Sequence, residues 1–113
     1  MSNVSLVNLT PHALVIRVGE VDVTIPPSGN VARVAVRQVA AGSIATDAGE
    51  VALYRSEYGQ VEGIPAQEPG VVYLVSGLVA SRCQEREDVW GPDTGPTAVR
   101  ENGQVKAVVR LAK

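Results

Sequence analysis

The chain has 113 residues, 45% of them apolar yet with no Phe, one Trp and three Tyr, and its formal net charge is −2. That length suits one domain, residues 1–113, burying a single core without staples, and the core must be aliphatic, built above all from valine, which packs well on a pleated sheet. Interspersed acids and bases leave no basic stripe for long nucleic acid, one cysteine (Cys83) excludes an internal disulfide, and no apolar run nears the roughly 20 residues of a membrane span.

Residues 4–9 read as a short apolar strand, and Thr10-Pro11 breaks it at a corner, Asn8-Leu9-Thr10-Pro11-His12, before residues 13–18 resume as a second strand. Gly19-Glu20 turns the chain into residues 21–25, whose strict alternation marks a half-buried strand. Pro26-Pro27-Ser28-Gly29 stops it, because proline donates no ladder hydrogen bond. Residues 31–39 form the next expected strand, with Arg33 and Arg37 on one face. Glycines and prolines punctuate residues 40–70 so densely that loops and short strands are expected there.

Residues 71–75 are an unbroken apolar run of strand length, the pattern of a central strand covered on both faces. Ser76 fits an N-cap, and Leu78, Val79, Arg82 and Cys83 fall at helical spacing. Residues 89–97, with Gly91, Pro92, Gly95 and Pro96, read as an irregular loop. Asn102-Gly103 then closes a C-terminal β-hairpin, since both central residues of a type I′ turn need positive φ. The expected fold is mainly β, of the α+β class: a small antiparallel or mixed, barrel-like sheet with one short helix at about residues 76–87.

No phosphate loop, dinucleotide fingerprint or nucleophile elbow is present, and one His with one Cys supplies no zinc set, so neither metal nor cofactor is expected. His12 alone has an unperturbed titration near neutrality, and a ligand contact or structural role is favoured for it over catalysis. The junction at Ser76 either attracts an anion or, more simply, is capped by the serine. Trp90 stacks a base or plugs the core. Eight of the ten basic residues are Arg, whose planar fork suits phosphate, although a GC-rich genome raises Arg, Ala, Val and Gly together.

Three segments resemble a widespread family of small, largely uncharacterised bacteriophage and prophage proteins: the opening Asn8-Leu9-Thr10-Pro11-His12, the segment at residues 25–33, and Tyr73-Leu74-Val75-Ser76. The likeness continues through Arg86, Asp88 and Pro92-Asp93-Thr94-Gly95-Pro96 to Arg100-Glu101-Asn102-Gly103-Gln104-Val105. It implies a phage-encoded accessory protein in the bacterial cytoplasm. Proteins of that kind build virions or counter host defences, and the leading expectation is a homo-oligomeric sponge that sequesters a phosphorylated nucleotide-like molecule without turnover. Candidate contacts are Asn8, Thr10, His12, Ser76, Arg86, Trp90, Asp93 and Thr94, with Arg33 and Arg100 as weaker choices. The alternatives are a virion component or inhibitor that docks on a host protein through an exposed strand edge or the C-terminal hairpin, and a phosphodiesterase-like or transferase enzyme using His12 with Asp88 or Asp93.

Overall fold

The structure, a computed structural model, describes residues 4–113. The apolar run at residues 71–75 supplies β6 (Val71–Leu74), which lies between β1 (Ser5–Asn8) and β7 (Val89–Pro92), parallel to both. β10 (Leu111–Ala112) runs antiparallel to β7 and completes a four-stranded mixed sheet in the order β1-β6-β7-β10. An interior strand has neighbours on both edges and layers on both faces, which is why β6 shows no polar alternation. Leu74 and Val75 are fully buried, a burial that stabilises by about 1.5–3 kcal/mol for each large aliphatic side chain.

Three ribbons surround this sheet. β2 (Leu14–Val18) and β3 (Val21–Ile25) form a hairpin whose Arg17–Asp22 pair bridges the strands at 2.7 Å. β8 (Val99–Glu101) and β9 (Gln104–Ala107) form the expected C-terminal hairpin, with Asn102 at φ 55° and Gly103 at φ 80° as a type I′ turn demands. The strands leave an open mixed sheet and separate ribbons rather than a barrel.

The third ribbon corrects the reading of residues 40–70. β4 (Arg33–Thr46) and β5 (Gly49–Glu62) are 14 residues each and pair antiparallel along their whole length. Gly42 and Gly59, which read as breaks, lie at the two register shifts, where a bulge absorbs one extra residue without ending the ladder. The ribbon projects: the radius of gyration is 17.9 Å and the molecule spans 62 × 37 × 23 Å, whereas a compact chain of this length has a radius near 13 Å. Its base packs on the body, where Val34, Val61 and Ile64 join the cluster of Leu9, Ala32, Tyr73, Val75, Val79, Cys83 and Val89.

Two further expectations change. The helix, α1 (Gly77–Ser81), stops well short of residue 87. Beyond Cys83 the run Gln84-Glu85-Arg86-Glu87-Asp88 has no apolar side chain to hold another turn against the core, and the chain bends so that Arg86 folds back on Asp88. The segment at 89–97 is irregular only after Pro92, because Val89 and Trp90 pair with Tyr73 and Leu74 in β7.

Gly63 fixes the exit from the ribbon. Its φ is +90°, and a Cβ there would stand 2.7 Å from Val31 O. Gly63→Ala is expected to destabilise the domain by about 2 kcal/mol, combining left-handed strain with a backbone clash. Gly19→Ala, at φ +63° with nothing within 4 Å of the added carbon, should lose only about 1 kcal/mol. Equal melting temperatures for the two variants would contradict the close approach at Val31.

Candidate functional site

Because β1, β6 and β7 are parallel, their carboxyl ends fall at one end of the sheet. Asn8, Leu74 and Trp90 form one row across it, and the 8–12 corner, Ser76 and the Asp93-Thr94 segment follow directly. The topology therefore places His12, Ser76, Asp93 and Thr94 at the same end of the sheet. Arg86 precedes β7 and lies at the opposite end, and Arg33 opens the long ribbon.

The corner is a closed hydrogen-bond unit. Asn8, 1% exposed, donates through Nδ2 to His12 O (2.8 Å) and Ile25 O (3.0 Å), and its Oδ1 accepts from the Thr10 backbone N–H at 2.9 Å. The Thr10 hydroxyl lies 2.6 Å from Asn8 Oδ1 and 2.9 Å from His12 O and donates its single proton to one of them. The polar atoms of both side chains are thus engaged inside the protein, while the His12 side chain is exposed and its carbonyl anchors the turn. Ser76 caps α1, its Oγ accepting from Val79 N–H at 3.3 Å.

Most of the remaining candidates are held equally firmly. Trp90 donates through Nε1 to Glu87 O at 2.6 Å, and the Lys113 ammonium sits 4.4 Å from its ring centroid. Arg86 forks onto Asp88 with two contacts of 2.7 Å and also donates to Pro65 O at 3.0 Å. That guanidinium holds the buried Asp88 carboxyl below the usual carboxylate range, against burial. Asp93 is lowered too, first by Arg110 at 2.6 Å and then by the Gly95 N–H. Burial pushes the Cys83 thiol up, aided by Glu85, so it stays protonated and a poor nucleophile.

A cleft of about 310 Å³ opens beside the Asp93-Thr94 segment, walled by Leu14, Val15, Pro92, Val105 and Val108, with Thr94 and Lys106 as its polar groups. Arg100 donates to Thr94 O at 2.7 Å, so its charge faces a carbonyl rather than a carboxylate. Lys106 and the apolar walls carried no signal readable from spacing, since β9 reaches the cleft only by folding back beside β2, where Arg17 N–H bonds Val108 O at 2.7 Å and Val108 N–H bonds Val15 O at 2.9 Å. Among the described residues no group of three or more His, Cys, Asp or Glu side chains stands close enough to hold a metal ion, and no helix is long and apolar enough to cross a membrane.

The long ribbon is the larger feature. Pairs in register share a face. Val36–Tyr58, Gln38–Ser56 and Ala40–Tyr54 lie on one face, and Arg37–Glu57, Val39–Arg55 and Ile44–Val51 on the other, with Leu53 between Arg55 and Val51. Apolar side chains therefore stand on both faces, and they are open to solvent: Tyr54 is 62% exposed, Ile44 51%, Val51 48% and Leu53 38%. Near the base, the Arg82 guanidinium covers the Tyr58 ring at 4.9 Å, and Arg37 pairs with Glu57 at 2.6 Å. No protein-family model, curated protein or solved structure matches the chain, so its chemistry is read from this geometry.

Proposed function

We propose that this is an interaction protein that works by holding protein chains along the β4–β5 ribbon, as a virion component or a docked inhibitor does. One observation carries the reading: 14 residues of each strand project from the body with exposed apolar side chains on both faces. An isolated two-stranded hairpin is marginal in water, and its outer edges present unpaired backbone groups that attract further strands. The resemblance of the corner, the 25–33 segment and the C-terminal hairpin to bacteriophage and prophage proteins supports a setting in the phage-carrying bacterial cell. The full chain, drawn gently from its native cell extract, is expected to elute well above the 11.8 kDa of one chain, and Leu53→Glu to return it to that size. Elution of the unaltered chain as a monomer would overturn the reading.

The cleft beside Thr94 favours a second reading, sequestration of a phosphorylated nucleotide-like molecule. Its apolar walls suit a flat ring, and Lys106, which pairs with Glu101 at 3.2 Å, is the cation that lines it, while Arg100 donates to the Thr94 carbonyl beside it. A cyclic dinucleotide or ADP-ribose derivative at 100 times its dissociation constant would stabilise the domain by about 2.7 kcal/mol. Such a shift, lost in Arg100→Ala and with the compound recovered intact, distinguishes this reading from the first.

A further inference from the structure

We infer that Asn102 is a self-modifying site: its side-chain amide is lost by attack of the Gly103 backbone nitrogen, and the isoaspartate formed opens the β8–β9 hairpin along the wall of the cleft. The reaction needs no enzyme and is independent of what the ribbon or the cleft holds. The chain has four asparagines. Three are followed by Val4, Leu9 and Val31, whose bulky side chains crowd the attacking nitrogen, whereas Asn102 is followed by Gly103, which has no side chain. Asn8 is also locked in its buried corner by three hydrogen bonds. Asn102 and Gly103 are both exposed, and among the described residues no backbone group accepts from the Gly103 N–H. Attack requires Asn102 to rotate out of the closed turn. The hairpin yields readily, because β8 has three residues and its ladder shifts register between Val99 and Arg100. A two-stranded ribbon is marginal in water, so local opening here costs far less than global unfolding.

Water is the only co-reactant. The Gly103 nitrogen gives its proton to solvent base and bonds to Asn102 Cγ; the Cγ–Nδ2 bond breaks, and the amide nitrogen leaves as ammonia with a proton taken from water. Water then opens the cyclic imide at either carbonyl. Opening at Cγ leaves aspartate, and opening at the main-chain carbonyl leaves isoaspartate, in which the chain runs through Cβ and Cγ with one extra carbon. Aspartate still suits a type I′ turn, but the lengthened backbone does not fit a two-residue turn between Glu101 and Gln104. The strand released is β9, whose Val105, Lys106 and Ala107 line the cleft beside Thr94, while Val108 stays tied to β2 through Val15 and Arg17. Either product adds a negative charge next to Glu101 and its partner Lys106.

The purified full chain, stored warm at mildly alkaline pH and mapped by peptide mass spectrometry, is expected to exchange NH2 for OH at Asn102 before any other asparagine, with isoaspartyl and aspartyl peptides separating as two peaks of equal mass. Amide hydrogen exchange should be faster across residues 99–107 in the stored chain than in freshly prepared Asn102→Asp, the aspartyl control, and the same in both at residues 71–74 of β6. Asn102→Gly suits the positive φ of the turn and should show neither the mass change nor faster exchange after storage. An unmodified Asn102, or first modification at another asparagine, overturns the site. Isoaspartate with exchange at residues 99–107 no faster than in Asn102→Asp overturns the opening of the hairpin.

Discussion

Asn8→Ala is expected to destabilise the domain by about 3 kcal/mol, the largest single effect of any substitution away from the apolar core. Asn8 is 1% exposed and serves His12 O, Ile25 O and the Thr10 N–H at once, and each buried group left without a partner costs about 1–3 kcal/mol. For a domain of this size the melting temperature should fall on the order of 10 °C or more. Thr10→Val removes one hydroxyl and should cost only about 1 kcal/mol. Asn8→Asp offers a sharper test. It keeps the acceptor for Thr10 but turns a carboxylate oxygen toward two carbonyls, so its pKa is raised and the variant gains stability as pH falls and the carboxyl regains a proton. A loss under 1 kcal/mol in Asn8→Ala would show that the corner is solvated and not a closed unit.

Arg86→Met should lose about 2–3 kcal/mol at neutral pH. It strands the Asp88 carboxylate, whose side chain is 6% exposed, and frees the segment that Arg86 ties at Pro65 O. Removing one partner of a fully buried ion pair costs about 3–5 kcal/mol, and the smaller figure follows because the Arg86 side chain is itself 26% exposed. The pH dependence has a definite sign. Asp88 is lowered by its bond to Arg86, so its contribution is full above the unfolded value near pH 4 and is lost as pH falls through the depressed native value. Arg86→Met lacks that contribution, so the stability curves of variant and parent should converge in acid. A gap that persists undiminished at low pH would assign the loss to the Pro65 contact and to packing of the arginine stem.

The site candidates divide by the range over which their partners act. Ser76 as an N-cap and Asn102-Gly103 as a turn depend on neighbours within three residues, and both are found where local chemistry puts them. Asn8 and Thr10 looked like a polar corner open to a ligand, yet Ile25, 17 residues away, closes it. Lys106 and Val108 were legible as part of the C-terminal hairpin but not as the lining of a cleft, because β9 meets β2 only through contacts about 90 residues apart along the chain. The long ribbon was hidden by its own glycines. At a bulge they look like strand ends, and only the pairing across β4 and β5 shows that the ladder continues.

The fold class and the short-range grammar are written locally along the chain. Aliphatic composition with β-branched runs demanded a sheet-rich fold, the unbroken run at 71–75 demanded an interior strand, and turn residues placed the hairpins at 19–20 and 102–103. Tertiary structure alone decided that three parallel strands bring the corner, Ser76 and Asp93 to one end, that the cleft forms beside Thr94, and that the ribbon stands clear of the body. The reason is physical: propensity and turn chemistry act over a few residues and leave their mark there. Strand pairing and burial depend on which distant segments meet, and the same alternating side chains are written whether a strand is covered by its own chain or by another.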